Sequence, residues 1–290
     1  MVKAPLDISG QIALLRSRAL PVDGHEDRLL RLLIDNNYYR LSGYWRYFQY
    51  APHLGDNRFL STATVDTIID VYVFDGTLRS LLLEGLAEFE VSFRSRLAYY
   101  ISTCQASCTY LIPSTYRTEI VNGVNLAAEV VDCITDDLKR SRERAIEHHR
   151  RQGEDVPVWA AVEVLSFGTV SKMYRQLADN DVAYKVAKSF GFPDPDFTAS
   201  VTRSFSVLRN ICAHHGRIWN RRPDAPMRVL KALKTDLDRD IYHQTPWAWL
   251  VMLAHVVDAL RHDASYSAGL WALVDSHPEF HDGLRHPHTR

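Results

Sequence analysis

Residues 64–102 read TVDTIIDVYVFDGTLRSLLLEGLAEFEVSFRSRLAYYIS. Apolar side chains recur in this stretch at spacings of three and four residues, which place them along one face of an α-helix. The sequence therefore predicts one long helix from Thr64 to about Ser102, and Gly76 and Gly85 are the positions where it could kink. The apolar positions are Val65, Ile68, Ile69, Tyr72, Leu78, Leu82, Leu86, Phe89, Phe93, Leu97 and Tyr100.

The charges of the same stretch are ordered along the chain. Acidic residues occupy its first two-thirds, and Arg94 and Arg96 follow them. Acidic residues near the start of a helix and basic residues near its end interact favourably with the helix dipole. We therefore expect these charges to form a solvated face. The acids are Asp66, Asp70, Asp75, Glu84, Glu88 and Glu90.

Helical periodicity also dominates outside residues 64–102, and no βαβ alternation is present. Residues 51–63 and 103–123 are rich in turn formers, so we expect loops or short hairpins there. The predicted fold class is all-α. Further helices are predicted at 8–19, from 23, at 127–151, from 159, around 173–177, at 195–211, at 228–237 and at 247–261, followed by a polar tail.

Composition indicates an ordinary globular protein, with 46% hydrophobic and 24% charged residues among 290. The formal net charge is −1, so no global field attracts nucleic acid or anionic membrane. The most apolar run, 247–257, is shorter than the roughly 20 residues of a bilayer span. No signal peptide precedes the four cysteines, which we expect to be reduced thiols. The predicted location is the cytoplasm, without membrane contact.

Residues 36–50 are rich in aromatic side chains, and two interpretations fit them. Tyrosines wedged between helices, with their hydroxyls at the rim, are the favoured one. Stacking on RNA bases is the other. The aromatic residues are Tyr38, Tyr39, Tyr44, Trp45, Tyr47, Phe48 and Tyr50.

Residues 209–221 read RNICAHHGRIWNR and hold the densest set of chemically active side chains. Asn210 and His214 are four apart and share a helix face, so the amide could hold a ring nitrogen and fix its tautomer. Arg217 stays on that face if the helix persists past Gly216. Arg209 and His214 diverge by about 140° on a regular helix. Either the helix distorts near Gly216, or the site combines residues from two copies of the chain, which predicts a homodimer.

The local charge around this motif favours a polyanion. Between 209 and 234 there are seven basic residues and one acid, a balance of +6, and such clusters bind phosphate backbones. A solvated basic helix end, with His214 as a capping histidine, is the simpler alternative. The candidate RNA-binding residues are Arg217, Trp219, Asn220, Arg221 and Arg222.

Five blocks in register make the chain resemble the Abi-like (Abi_2) abortive-infection family, whose members are similar to the HEPN superfamily. Gly76 departs from the family pattern, which more often has a charged residue there. Residues 225–290 do not align. The blocks are 36–45 (NNYYRLSGYW), 72–79 (YVFDGTLR), 88–97 (EFEVSFRSRL), 165–169 (LSFGT) and 209–220 (RNICAHHGRIWN).

The resemblance implies metal-independent RNA cleavage without a cofactor. HEPN ribonucleases use Arg, four to six intervening residues and His, often with Asn directly after Arg, and Arg209, Asn210 and His214 fit. A histidine can move the protons of the 2′-hydroxyl and the 5′-oxygen, while Arg209 stabilises the phosphorane. His215 is either a second acid–base group or a structural neighbour. The products would be 2′,3′-cyclic phosphate and 5′-hydroxyl ends.

The resemblance also implies that the protein acts in an abortive-infection or toxin–antitoxin system. RNA would be its substrate, and its partner would be a bound regulatory RNA or an antitoxin. The expected organisation is an N-terminal aromatic-rich helical segment at 1–60, a HEPN-like helical bundle at 61–275 and a polar His-rich tail at 276–290. A non-catalytic RNA-binding protein is the main alternative. Two weaker alternatives involve a metal ion. One is a metal phosphohydrolase with His262-Asp263 and His281-Asp282 at its site, and the other is half a metal site at Cys104 and Cys108.

Overall fold

The computed structural model describes residues 5–288, and it confirms the all-α fold class. Within that range the helices are α1 (Ile8–Ser17), α2 (Glu26–Asn36), α3 (Tyr38–Trp45), α4 (Val65–Cys104), α5 (Leu126–Arg140), α6 (Arg144–Gln152), α7 (Val158–Ala161), α8 (Phe167–Gln176), α9 (Asn180–Ser189), α10 (Pro195–Ala213), α11 (Pro246–Arg261), α12 (Ser265–Asp275) and α13 (His281–Arg285).

Two small antiparallel hairpins and several single 3-10 turns connect the helices. One hairpin pairs β1 (Gln49–Ala51) with β2 (Asp56–Phe59), and the other pairs β3 (Ile120–Val121) with β4 (Val124–Asn125). Both lie in segments where the turn residues predict loops or short strands. The 3-10 turns span Arg46–Phe48, Pro52–Leu54, Thr109–Leu111, Pro113–Thr115, Lys231–Leu233, Asp240–Tyr242 and Pro278–Phe280.

Helix α4 is the axis of the fold, and α3, α7, α9, α10, α11 and α12 all pack against it. Thr64 caps it, accepting the backbone N–H of Thr67 at 3.0 Å. The helix then continues through Gly76 and Gly85 without a break, over about 60 Å at 1.5 Å per residue. Gly85 has a packing role, since an added Cβ would lie 2.5 Å from the Tyr266 ring.

Apolar side chains form two clusters along α4. The larger surrounds the middle and C-terminal parts of α4, where Phe89 and Phe93 lie, and holds residues of every helix from α5 to α13, including Phe205 of α10. The smaller joins α1, α2 and α3 to the first turn of α4, with Leu15 and Leu41 fully buried. The N-terminal segment therefore has apolar packing of its own and is anchored to the start of α4.

The solvated charged face that the sequence predicts on α4 is present only in part: Asp66, Asp70 and Glu84 are exposed, whereas other charges of the helix are buried. Asp75 is 0% exposed, and Arg79, Glu90 and Arg94 are each at most 9% exposed. Asp75 pairs with Arg79, and Glu90 pairs with Arg94, one helical turn away in each case. These four charges can lie in the interior because each has an opposite charge and further hydrogen-bond partners beside it.

Three predicted elements differ from the structure. The helix predicted at 127–151 is divided into α5 and α6, because Ser141 adopts an extended conformation and ends α5. Helix α9 was not predicted. The helix predicted at 228–237 is wrong: Ala225, Met227 and Val229 are buried in alternation with exposed neighbours, a period of two that suits extended chain.

The segment predicted as a polar tail is folded as far as His288. Phe280 is 2% exposed and Leu284 is fully buried, and both belong to the large apolar cluster. Two apolar residues four apart place one face of this short segment against Trp219 and its neighbours. The surrounding histidines and acids hid this face in the sequence.

No helix within residues 5–288 combines the length and the hydropathy needed to cross a membrane.

Candidate functional site

Arg209 lies one turn before the end of α10, at the mouth of a cavity. Its side chain is 40% exposed, and its Nε lies 3.3 Å from Oε2 of Glu90 on α4. Asp194 fixes the start of α10 by accepting the N–H of Phe197 at 2.6 Å. Phe205, one turn earlier on nearly the same face of α10, packs on Phe89 of α4, so Arg209 is directed towards α4.

Glu90 is held by a second arginine as well as by Arg209. Arg94 donates from Nε to Oε1 of Glu90 at 3.2 Å. Arg94 also donates to the carbonyl oxygens of Leu165, at 2.6 Å, and of Val162. The buried carboxylate thus sits between two guanidinium groups, one fixed to the turn before α8 and one half-exposed on α10.

The cavity beside this ion-pair network has a volume of about 710 Å³. Its charged lining is balanced, with Glu90 and Glu163 against Arg94 and Arg209. Asn210 and Arg209 both belong to its lining. The lining residues come from α4, the turn before α8, α8 itself and α10, and comprise Leu83, Ala87, Glu90, Val91, Arg94, Glu163, Leu165, Ser166, Phe167, Gly168, Arg209, Asn210 and Ala213.

Helix α10 ends at the histidine pair. The N–H of Gly216 bonds the carbonyl of Ile211 at 2.7 Å, and that of His215 bonds Cys212 at 3.0 Å, the pattern of a Schellman C-cap. His215 occupies the left-handed position with φ 55°, where helices usually place glycine. The helix therefore does not persist past Gly216, and Arg217 leaves the Asn210–His214 face.

Both histidine rings are exposed. The hydrogen bond expected between the Asn210 amide and the His214 ring is absent, since Asn210 Oδ1 instead accepts from Arg209 Nη1 at 3.4 Å. Neither the His214 nor the His215 ring has a hydrogen-bond partner among residues 5–288. His214 Cα still follows the helical path, with its N–H bonded to Asn210 O at 3.0 Å, so its direction diverges from that of Arg209 by about 140°.

Three of the candidate RNA-binding residues have structural roles. Trp219 is fully buried and donates Nε1–H to Phe280 O at 2.8 Å, so no RNA base can reach it. Asn220 is 9% exposed and exchanges two hydrogen bonds with the backbone of His288. Arg217 is partly buried and donates to the carbonyl of Gly43. The assignment of Trp219 and Asn220 to RNA contact is therefore wrong, because the chain after α10 turns inward.

Two of the remaining basic residues of 209–234 lie beside carboxylates. Arg221 lies 3.6 Å from Asp224, and Arg228 lies 3.4 Å from Asp194. Arg222 is exposed and has no ion pair within the described chain. Asp194 and Glu90, which lie outside 209–234, thus offset part of the +6 balance that the sequence count gives.

Asp75 is the second buried carboxylate that positions this stretch. Its Oδ1 accepts the backbone N–H groups of Ile218 at 3.1 Å and Trp219 at 2.7 Å. Its Oδ2 accepts the Tyr44 hydroxyl at 2.6 Å and pairs with Arg79. Burial raises the pKa of Asp75, and these donors oppose that shift by stabilising the carboxylate.

A further contact reaches the histidine pair from α3. Arg40 Nη2 donates to the backbone oxygen of His215 at 2.6 Å, and its Nε donates to the Tyr72 hydroxyl at 3.1 Å. The N-terminal segment therefore binds the carbonyl of His215, the residue in the left-handed conformation, although Arg40 and His215 are 175 positions apart in sequence.

Four of the five sequence blocks thus contact the fifth, residues 209–220, at its two ends. Blocks 88–97 and 165–169 enclose Arg209, whereas blocks 36–45 and 72–79 bind the chain after His214. Sequence reasoning missed Asp75 and Glu90 as site residues. Helical periodicity and local charge do not distinguish these two residues from surface acids. The signal that could have found them was their position inside blocks 72–79 and 88–97.

The two weaker metal hypotheses find no support in the geometry. No group of three or more His, Cys, Asp or Glu side chains suited to a metal ion occurs in residues 5–288. The His281 ring is 3.0 Å from the Val274 carbonyl, and Asp282 accepts the Tyr47 hydroxyl at 2.7 Å. Cys104 and Cys108 are free thiols.

A family model for Abi-like proteins matches residues 31–220, which include all five blocks and both buried carboxylates. The match covers 190 of the 290 residues, so the chain belongs to the Abi-like family of abortive-infection proteins. Comparisons with curated proteins and with solved structures yield no match.

Proposed function

We propose that this Abi-like protein is a metal-independent endoribonuclease that acts in an abortive-infection or toxin–antitoxin system. The observation that carries the proposal is the placement of Arg209: Glu90 pairs with its Nε, and its half-exposed side chain lines a cavity at the protein surface. Five residues later stands an exposed histidine, His214, whose ring has no hydrogen-bond partner among residues 5–288. A positioned cation and a titratable imidazole are what phosphodiester cleavage by the 2′-hydroxyl requires.

The proposed chemistry uses both groups. His214 takes the proton of the 2′-hydroxyl as its oxygen bonds to phosphorus, or gives a proton to the 5′-oxygen as the bond between that oxygen and phosphorus breaks. The Nη edge of Arg209 pairs the phosphorane oxygens, whose charge exceeds that of the ground state. Asn210 positions Arg209, and His215 supplies the second acid–base group. The ends produced are 2′,3′-cyclic phosphate and 5′-hydroxyl.

The direction of the two side chains supports a site made by two chains. Because Arg209 and His214 diverge by about 140°, one chain does not bring both to one phosphate easily. A two-fold axis beside the end of α10 would place Arg209 of one chain near His214 of the other. The functional unit that we propose is therefore a homodimer. An antitoxin or a bound regulatory RNA inhibits it until infection occurs.

RNA cleavage by the purified protein, with analysis of the RNA ends, tests the activity. We expect His214→Ala and Arg209→Ala each to lower the rate at least about 100-fold, the size typical of a lost acid–base or oxyanion group. Arg203→Ala, an exposed arginine on the same helix, is the matched control. If the wild-type chain binds RNA without cutting it, the protein is the non-catalytic RNA-binding alternative.

Mixing the two inactive variants tests the shared site. In a mixed dimer, the intact Arg209 of one chain faces the intact His214 of the other, so activity should return. A site formed within one chain gives no recovery. Full activity from a monomer, established by light scattering at the assay concentration, would contradict the dimer.

A further inference from the structure

Two adjacent cavities lie on the N-terminal side of the motif, and we call them together the Tyr39 groove. One, of about 350 Å³, lies between α3 and the chain after α10, and includes Arg46 in its lining. The other, of about 430 Å³, includes Arg40. Tyr39 and Arg217 line both cavities. The groove is distinct from the cavity beside Arg209 and shares no lining residue with it.

The charge of the Tyr39 groove is positive and unbalanced. Arg40, Arg46 and Arg217 line it, and no carboxylate is among its described lining residues. None of these arginines has an ion pair in the part of the chain that the structure describes, whereas Arg16, Arg28 and Arg261 each lie within 3 Å of a carboxylate. In a protein of net charge −1, this excess marks a local anion-binding surface.

The arginines also act on one another. Burial lowers the pKa of Arg217, and the positive charges of Arg221 and Arg46 act in the same direction, whereas the buried carboxylate of Asp75 opposes the shift. The Arg217 side chain extends over Gly43, where an added Cβ would lie 3.6 Å from its Nε. Since Arg46 is exposed and makes no hydrogen bond through its side chain within residues 5–288, its guanidinium is available to a ligand.

Tyr39 gives the groove a flat aromatic surface. It is 85% exposed, unlike Tyr44 and Trp45 on the same helix, which are 1% exposed. Asn37 caps α3 by accepting the Tyr39 N–H at 2.8 Å, which fixes the backbone from which the ring projects. The packing of the fold does not use this ring. An exposed aromatic ring flanked by arginines is the arrangement that single-stranded nucleic acids bind, with bases stacked and phosphates paired.

The groove is connected to the motif through Arg40. Its Nη2 bonds the His215 carbonyl at 2.6 Å, so the lining of the groove touches the residue beside His214. A strand leaving the histidine pair would therefore meet Arg40 and then Tyr39.

We propose that the Tyr39 groove binds single-stranded RNA, with a base stacked on Tyr39 and backbone phosphates paired to Arg46 and Arg217. The groove selects RNA that is unpaired beside the cleaved bond, because a base inside a duplex offers no free face for stacking. This inference rests on the proposed function in taking RNA as the ligand. It assigns a role to α3 that is independent of the cleavage step.

Fluorescence anisotropy with a short labelled oligouridylate tests the groove, in a His214→Ala background that leaves the RNA intact. We expect Arg46→Ala to weaken binding several-fold and to lower the salt dependence by about one phosphate contact. Tyr39→Ala should weaken binding roughly tenfold with an unchanged salt dependence, and Tyr39→Phe should retain it. Arg175→Ala, which removes an exposed arginine of α8 that has no ion pair within residues 5–288, is the matched control and should bind normally.

Two results would overturn the inference: undiminished binding in both Arg46→Ala and Tyr39→Ala, or an equal loss in Arg175→Ala. Binding to a fully paired hairpin as tightly as to oligouridylate would also overturn the selection of single strands. Failure of the proposed function is visible separately. If the groove variants lose RNA but the wild-type chain never cuts it, the groove stands and the nuclease does not.

Discussion

Asp75, in the first third of the longest helix, accepts the backbone N–H of Trp219 at 2.7 Å, across 144 positions of sequence. The same carboxylate pairs with Arg79 on its own helix and accepts the hydroxyl of Tyr44 from α3. One buried side chain therefore joins three segments just beyond the histidine pair. The course of the chain after α10 depends on that charge.

Replacing Asp75 with Asn should destabilise the protein by about 3 kcal/mol, because Arg79 then remains buried without its counter-charge. Urea unfolding measures the change. Asp70→Asn, an exposed acid on the same helix, should stay within about 0.5 kcal/mol of wild type. Similar losses in both variants would show that Asp75 has no special structural role.

Glu90→Gln should lower the rate of RNA cleavage more than it changes KM, because Arg209 loses the anion that holds its Nε. A single-turnover assay under saturating RNA measures the rate. Glu163→Gln removes an exposed carboxylate from the same cavity and should cleave normally. If the Glu90 variant is as active as wild type, the ion pair does not position Arg209.

Gly85→Ala should destabilise the protein by about 1–3 kcal/mol, because the new methyl group would overlap the Tyr266 ring, which α12 packs against α4. Gly76→Ala provides the contrast on the same helix. Its nearest neighbour is Arg79 Nη2 at 3.6 Å, so the better helix propensity of Ala should stabilise it by roughly 0.5–1 kcal/mol. Calorimetric melting temperatures that shift in the same direction would contradict this packing.

The attachment of α13 should depend on pH. His286 bonds Asp238 at 2.7 Å and Asp282 at 3.2 Å, and these carboxylates, Asp238 first, raise its pKa. When the pKa of a histidine is higher in the folded than in the unfolded state, its ion pairs stabilise the fold. This stabilisation is complete below the unfolded-state pKa of about 6.5 and is lost as the pH rises through the folded-state pKa. Hydrogen bonds from His286 and the Asp240 backbone hold the pKa of Asp238 below its usual range, so it remains ionised at pH 5.5.

His286→Gln should therefore lower the melting temperature more at pH 5.5 than at pH 8.5. The pair is half-exposed, so the difference should stay below about 1 kcal/mol. His243→Gln, an exposed histidine without an ion pair in residues 5–288, serves as the control. A larger effect of His286→Gln at pH 8.5 would reverse the sign and contradict the assignment.

RNA cleavage should survive EDTA, because the proposed proton transfers use imidazole groups and the charge stabilisation uses a guanidinium. The measurement is the cleavage rate with and without excess chelator, followed by addition of Mg²⁺ or Mn²⁺. Complete loss in EDTA with recovery on metal addition would indicate a metal-dependent nuclease instead.

The sequence by itself determined the helical fold class, the span of α4 and the run of α10 towards the motif. These features follow from local spacing, since apolar residues at helical period and a capping residue at the start specify a helix wherever it packs. Arg209 and His214 were chosen as candidate site residues for the same reason: their residue types and spacing are local. The divergence of about 140° between them also follows from the helical repeat alone.

Only the tertiary structure decided which charges are interior and which basic residues face solvent. Asp75 and Glu90 look like Asp70 and Glu84 in sequence, yet distant N–H groups and guanidinium groups offset their desolvation. Trp219 looks like a surface aromatic, yet it is buried because Phe280 and Gly283 pack on it from the folded C-terminal segment. Tyr39 is the converse case, an aromatic left exposed. Whether a polar group is buried depends on partners far away in sequence, and local periodicity carries no record of them.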